Sequence, residues 1–169
     1  MFNKHEIRSY LKYSIASAIL YLICVVVFLS KDAYTQTYIL YLGNTLFAIP
    51  IVFFVVHYAN KRGRNANTGT AISAGIATTL IGIILSCLSI FIILAIMKPS
   101  AYTDVTNTAL ELSMPAPGLE GNGFALIMIL FLDAILGNVA FGAFVAAMLT
   151  NMLKSDQTGE TATINPEKA

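Results

Sequence analysis

The sequence predicts an all-α integral membrane protein: a bundle of four transmembrane helices with both termini cytoplasmic. Three observations carry that expectation: composition, four long apolar blocks, and the placement of the basic residues. Of the 169 residues, 57% are hydrophobic and 11% charged, against about 45–50% and 25% in soluble domains. The excess falls into blocks at about 14–29, 38–58, 70–97 and 124–150. About 20 residues, rising about 1.5 Å each, cross a hydrocarbon core of roughly 30 Å. One domain is expected over 1–153, followed by a disordered, polar cytoplasmic tail over 154–169.

Orientation follows from the loops. Lys4, Arg8 and Lys12, then Lys61, Arg62 and Arg64, then Lys154 and Lys168 all fall on one side of such a bundle. Lys31 and Lys98 alone face the other side, with Asp32, Asp104, Glu111 and Glu120. Positive charge collects on the cytoplasmic side, so the first group is expected there. Tyr10, Tyr13, Tyr34, Tyr38, Tyr41, Tyr58 and Tyr102 lie at helix ends, where amphipathic rings gather, and only Tyr21 sits deep.

The first block, Ser14 to Leu29, follows a basic start and resembles a secretory signal in length. Ala33 has Lys31 two residues before it rather than a small residue, and Leu22-Ile23 do not suit lipidation of Cys24, so the block is read as retained. The second block contains Gly43, Asn44 and Pro50; Pro50 removes one backbone donor and is expected to kink the helix. The third carries small residues Gly75, Thr79, Gly82, Ser86 and Ser89 at spacings of four and three. Those positions share one stripe, and such stripes let helices approach closely, so this is the expected packing face. A connection over Lys98–Gly123 has room for two turns of interfacial helix before Pro115 and Pro117. Cys24 and Cys87 lie in apolar blocks with no metal-like or redox spacing.

The fourth block, FALIMILFLDAILGNVAFGAFVAAML, holds one carboxylate, Asp133. An intramembrane carboxylate costs at least about 2.5 kcal/mol to insert and commonly marks an ion or proton site. A packing role fits the residue as well, because burial favours the neutral, hydrogen-bonded form of a carboxyl group. Leu42-Gly43-Asn44-Thr45-Leu46-Phe47 also echoes Leu136-Gly137-Asn138-Val139-Ala140-Phe141 at four of six positions. That echo fits a parallel pseudo-repeat, and it fits the letter-sharing of apolar segments. Asn44 and Asn138 are expected to hydrogen-bond across helix interfaces. The face bearing Asp133, Gly137 and Ala140 is expected to point inward. His57, at the end of the second block, reads as an interfacial residue.

No nucleophile–base pairing, HExxH, phosphate-binding loop or dinucleotide turn is present. An enzyme is not expected, nor any cofactor or metal, and a net charge of +1 gives no reason to invoke nucleic acid. The expected partners are the bilayer and either a second copy of the chain or another membrane protein. Two functions fit: a non-enzymatic accessory or scaffold subunit, and a small oligomeric ion or proton carrier using Asp133 with Asn44 or Asn138.

The order of elements adds a resemblance. A basic N-terminus, a close-spaced hairpin, a basic turn, the entry Gly69-Thr70-Ala71-Ile72-Ser73 and the closing run Phe141 to Lys154 make up the layout. It resembles a family of small four-helix membrane proteins, common in Bacteroidota and known as a domain of unknown function. The Pro- and Gly-rich outer connection departs from the long acidic loop of that family. The resemblance implies four helices and the inner membrane, and implies no activity.

Overall fold

A computed structural model describes residues 4–31, 36–62, 68–102 and 123–164. Among these residues there is no strand. Helix α1 covers Lys4–Ser30, α2 covers Tyr38–Arg62 and α3 covers Thr68–Met97. The last rod is built from α4 (Gly123–Leu132), a π-helical turn (Asp133–Gly137) and α5 (Asn138–Ile164), continuous end to end. Four stretches are long and apolar enough to cross a membrane: Ile7–Ser30, Tyr38–Lys61, Gly69–Met97 and Gly123–Met152.

The helices outrun their apolar blocks. α1 begins ten residues before Ser14, and α5 continues to Ile164, through most of the segment read as a disordered tail. Helix propagation is the physical reason: once a spanning segment has formed its turns, each further residue adds one hydrogen bond at little cost. α2 runs through Pro50 without interruption. The expected interfacial helix over 104–114 and the basic turn at 63–67 lie outside the described residues.

Ring order in the bundle is not chain order. α1 packs on α2 and α3, and the last rod packs on α2 and α3, so α1 stands diagonally opposite the last rod. The hairpin expectation describes α1–α2 and α3 with the last rod. The step from α2 to α3 crosses the diagonal instead.

Each helix shows how its interior face was specified. Tyr10, Ser14, Ser17, Tyr21, Cys24 and Phe28 of α1 are buried at alternating spacings of four and three, the period of left-handed helix packing. The last rod differs. Its buried positions Leu126, Leu130, Ala134, Asn138, Gly142, Ala146 and Thr150 follow one another every fourth residue. A spacing of four drifts around a 3.6-residue helix, and the wider π turn takes up part of that drift by adding a residue to one turn. The expected inward face is corrected at Ala140. Ala140 is exposed and Gly137 half-buried, whereas Ala134 and Asn138 lie on the buried line.

Small residues set the helix spacing between α3 and the last rod. A methyl on Gly75 would stand 2.6 Å from the Ala146 Cβ, and one on Gly142 would meet the side chain of Thr79. The ring of Phe47 on α2 covers Gly82, where a methyl would come within 2.9 Å. Of the small-residue stripe on α3, Gly75, Thr79, Gly82 and Ser86 are buried and Ser89 is half-buried.

Candidate functional site

Near the middle of the bundle, three helices meet on one carboxyl group. Asp133 opens the π turn and is half-buried. The Tyr21 hydroxyl of α1 donates to Asp133 Oδ2 at 2.9 Å, and the Asn44 amide of α2 donates through Nδ2 to Oδ1 at 2.8 Å. Tyr21 and Asn44 are both 0% exposed. Because α1 is diagonal to the last rod, the tyrosine reaches across the bundle centre, a span that its long rigid ring can bridge.

The local sequence explains this placement. Tyr21 lies on the four-three face of α1, one step beyond Ser17. Its ring stands edge-on to Phe47, with centroids 6.5 Å apart, and it also packs over Gly43, where a methyl would lie 3.1 Å from the ring. Asn44 follows Gly43 on the interior side of α2. Gly137 ends the π turn beside the Asn44 amide, whose Cγ would be 2.8 Å from a methyl placed there. The amide is thus held between Asp133 and Gly137. Widened turns of this type recur at functional sites, where they re-aim a side chain that an α-helix would hold elsewhere.

Each oxygen of the Asp133 carboxyl group accepts one hydrogen bond. The donors are neutral, and among the described residues no lysine, arginine or histidine takes part. Asn44 Oδ1 and both polar atoms of Asn138 are buried without partners, as are the hydroxyls of Ser17 and Ser86. One turn away, Ser14 donates to the Thr78 carbonyl at 2.7 Å, while Thr78 and Thr79 donate back to Ala74 and Gly75 of their own helix.

The structure brings together Asp133 and Asn44 of the sequence candidates. It places Asn138 on the same rod, fully buried and unbonded through its side chain. Tyr21 is the participant that sequence reasoning did not assign. Its depth, unlike that of the other tyrosines, was the available signal. His57 is exposed and stands apart from this cluster. Among the described residues no group of three or more His, Cys, Asp or Glu is placed to hold a metal ion.

At the N-terminal end of α1 the bundle is closed by rings. Phe54 lies 5.3 Å from Tyr10, 5.5 Å from Tyr13 and 5.7 Å from Tyr58, centroid to centroid. At the opposite end the buried side chains Phe28, Leu29, Ile90, Leu94 and Leu130 are apolar. The polar cluster therefore sits between a layer of packed rings and an apolar layer.

No curated protein and no solved structure matches the chain. A family described as a protein of unknown function (DUF4199) matches residues 11–155. With that match covering most of its length, and with four helices long and apolar enough to cross a membrane, the chain belongs to this uncharacterised family.

Proposed function

We propose that the chain is a non-enzymatic, multi-pass protein of the bacterial inner membrane, with both termini cytoplasmic, that takes up a proton or a small monovalent cation at Asp133. The observation that carries this reading is the carboxyl group of Asp133, held within the bundle by Tyr21 and Asn44 and by no cationic side chain. A charge at such depth is costly, and side chains of this kind commonly mark ion or proton pathways. The orientation rests on the eight basic residues assigned to one side of the bundle.

A second reading, an accessory or scaffold subunit, is favoured by the outer faces of α3 and the last rod. These two helices bury the smallest share of their apolar windows, 28% and 22%, against 56% for α2. Leu88 and Phe91 of α3, and Phe144 and Met148 of α5, are exposed and suit either lipid chains or another helix. A four-helix bundle offers a thin conduit, so net transport by this chain requires several copies side by side.

Reconstitution into liposomes loaded with a pH- or sodium-sensitive dye tests the first reading against the second. Under an imposed potential, the native protein is expected to move protons or one cation, and Asp133→Asn to abolish the signal. Equal, background signals from both proteins would favour the accessory role.

A further inference from the structure

Five buried side-chain polar atoms among the described residues have no hydrogen-bond partner: Ser17 Oγ, Asn44 Oδ1, Ser86 Oγ, and Asn138 Oδ1 and Nδ2. All four residues are 0% exposed. Native interiors pair such groups, with ordered water where protein supplies no partner, and a buried water takes about three hydrogen bonds.

Helix register gathers these atoms. The Ser14–Thr78 bond and the contact of Phe47 with Gly82 fix one level of the bundle. Ser17 is the next interior position on α1, and Ser86 lies four residues beyond Gly82 on α3. On the last rod, Thr79 meets Gly142 and Gly75 meets Ala146, so α3 and the rod run in opposite directions. One further step of four residues brings Asn138 level with Gly82 and Ile83. Ser17, Asn138 and Ser86 therefore occupy the roughly two turns between the Ser14–Thr78 bond and Asp133. Asn44 Oδ1 lies at the carboxylate level, beside Gly137.

We infer that these atoms bind a cluster of water molecules at the bundle centre, and that the species exchanging at Asp133 is a proton delivered through this water. The inference rests on the reading of Asp133 as an exchange site and names its ligand. A dehydrated metal cation takes several oxygen ligands around one point. At Asp133 itself Tyr21 and Asn44 present hydrogens, and the unpartnered oxygens of Ser17, Ser86 and Asn138 are spread along the helices rather than gathered about the carboxylate. A proton needs one acceptor and a hydroxyl free to turn. A hydronium O–H bond breaks, the proton bonds to Asp133 Oδ2, and water is left behind. The new carboxyl O–H then donates to the Tyr21 oxygen, and the phenol turns its own hydrogen toward a water oxygen.

The titratable groups around this pair are Tyr21 itself and the thiols of Cys24 on α1 and Cys87 on α3, which lie near the phenol. Apart from Asp133, α3 and the rod as far as Met152 carry no ionisable side chain except cysteine. Arg8 and Lys12 on α1, and His57 and Lys61 on α2, lie more than two turns from Tyr21 and Asn44 along their helices.

The test is solid-state NMR on the full chain, labelled with ¹⁵N-asparagine and held in nanodiscs. Magnetisation transfer from water to the Asn138 side-chain amide, with deuteration of that amide within minutes in D₂O, is the expected result. An Asn138 amide that shows no water transfer and keeps its hydrogens for hours would overturn the water cluster. A parallel arm follows the infrared carboxyl band of Asp133 at fixed pH as NaCl replaces choline chloride. A band unmoved by sodium but moved by pH supports the proton. A band that answers sodium alone overturns the proton while leaving exchange at Asp133 intact, and a band that answers neither removes the exchange reading itself. In Asn138→Leu, the rate at which the band follows a pH jump is expected to fall by about tenfold, with its end point unchanged; an unchanged rate would overturn delivery through this route.

Discussion

Asn44 fills the space that a side chain on Gly137 would occupy. Its Nδ2 donates to Asp133 at 2.8 Å, while its Cγ and Oδ1 would lie 2.8 Å and 2.9 Å from a methyl on Gly137. The first and last residues of the π turn thus hold one amide between them, so the turn and the carboxylate contact depend on each other. Gly137→Ala is expected to force the amide away. The loss expected is about 1–3 kcal/mol, the usual range for overpacking a filled interior, read as a lowered unfolding midpoint in detergent. A companion Leu136→Ala, on an exposed neighbour, should leave the midpoint nearly unchanged.

Tyr21→Phe keeps the ring and removes one donor from Asp133. A hydrogen bond to a charged group contributes about 1.5–3 kcal/mol, so a loss in that range is expected while the carboxyl is ionised. The phenol and carboxyl should act as a unit. In a cycle with Asp133→Asn, the double variant is expected to lose less than the two single losses added together. Additive losses would show that the 2.9 Å contact contributes nothing.

The close approach of α3 to the last rod predicts a size limit at Gly75 and Gly142. Gly142→Val would drive a branched side chain into Thr79, and Gly75→Val would meet Ala146 and Val55. Each is expected to lower the unfolding midpoint markedly, more than Ser89→Val at the half-buried end of the stripe. Membrane helices associate largely through such packing, which explains why volume matters more here than polarity.

The four-residue spacing predicts which positions lipid can reach. Cysteine at Ala140, which is exposed, is expected to react with a lipid-soluble maleimide, and cysteine at Ala134, which is buried, to stay unlabelled. This comparison is made in a background with Cys24 and Cys87 replaced by alanine. The reverse pattern would place the phase of the rod elsewhere.

Much of this was legible in the sequence. Long apolar blocks announce helices because every backbone group in hydrocarbon must be bonded within its own segment. A lone carboxylate in such a block is legible because its insertion is costly enough to call for hydrogen-bond partners, whether it packs or exchanges. Gly75, Thr79 and Gly82 were readable as a contact face from their spacing. The matching line on the last rod, Ala134, Asn138, Gly142, Ala146 and Thr150, was equally available, but a strict period of four does not look like a helix face until the π turn is known. That turn has no local code: one extra residue per turn depends on what packs against it, here the Asn44 amide. Tyr21 was legible as deep but not as a partner, because a diagonal contact between α1 and the last rod depends on ring order, which chain order does not supply.

Infrared spectroscopy of Asp133 in nanodiscs, with Asp133→Asn as the reference, tests the central claim most directly. The account predicts a carboxyl band, absent from the variant, that passes between its protonated and ionised forms as pH or the cation is changed, together with a shift of the Tyr21 ring band. A carboxyl group fixed in one form under every condition would contradict it, leaving the Tyr21–Asp133–Asn44 contact as a fastening between helices.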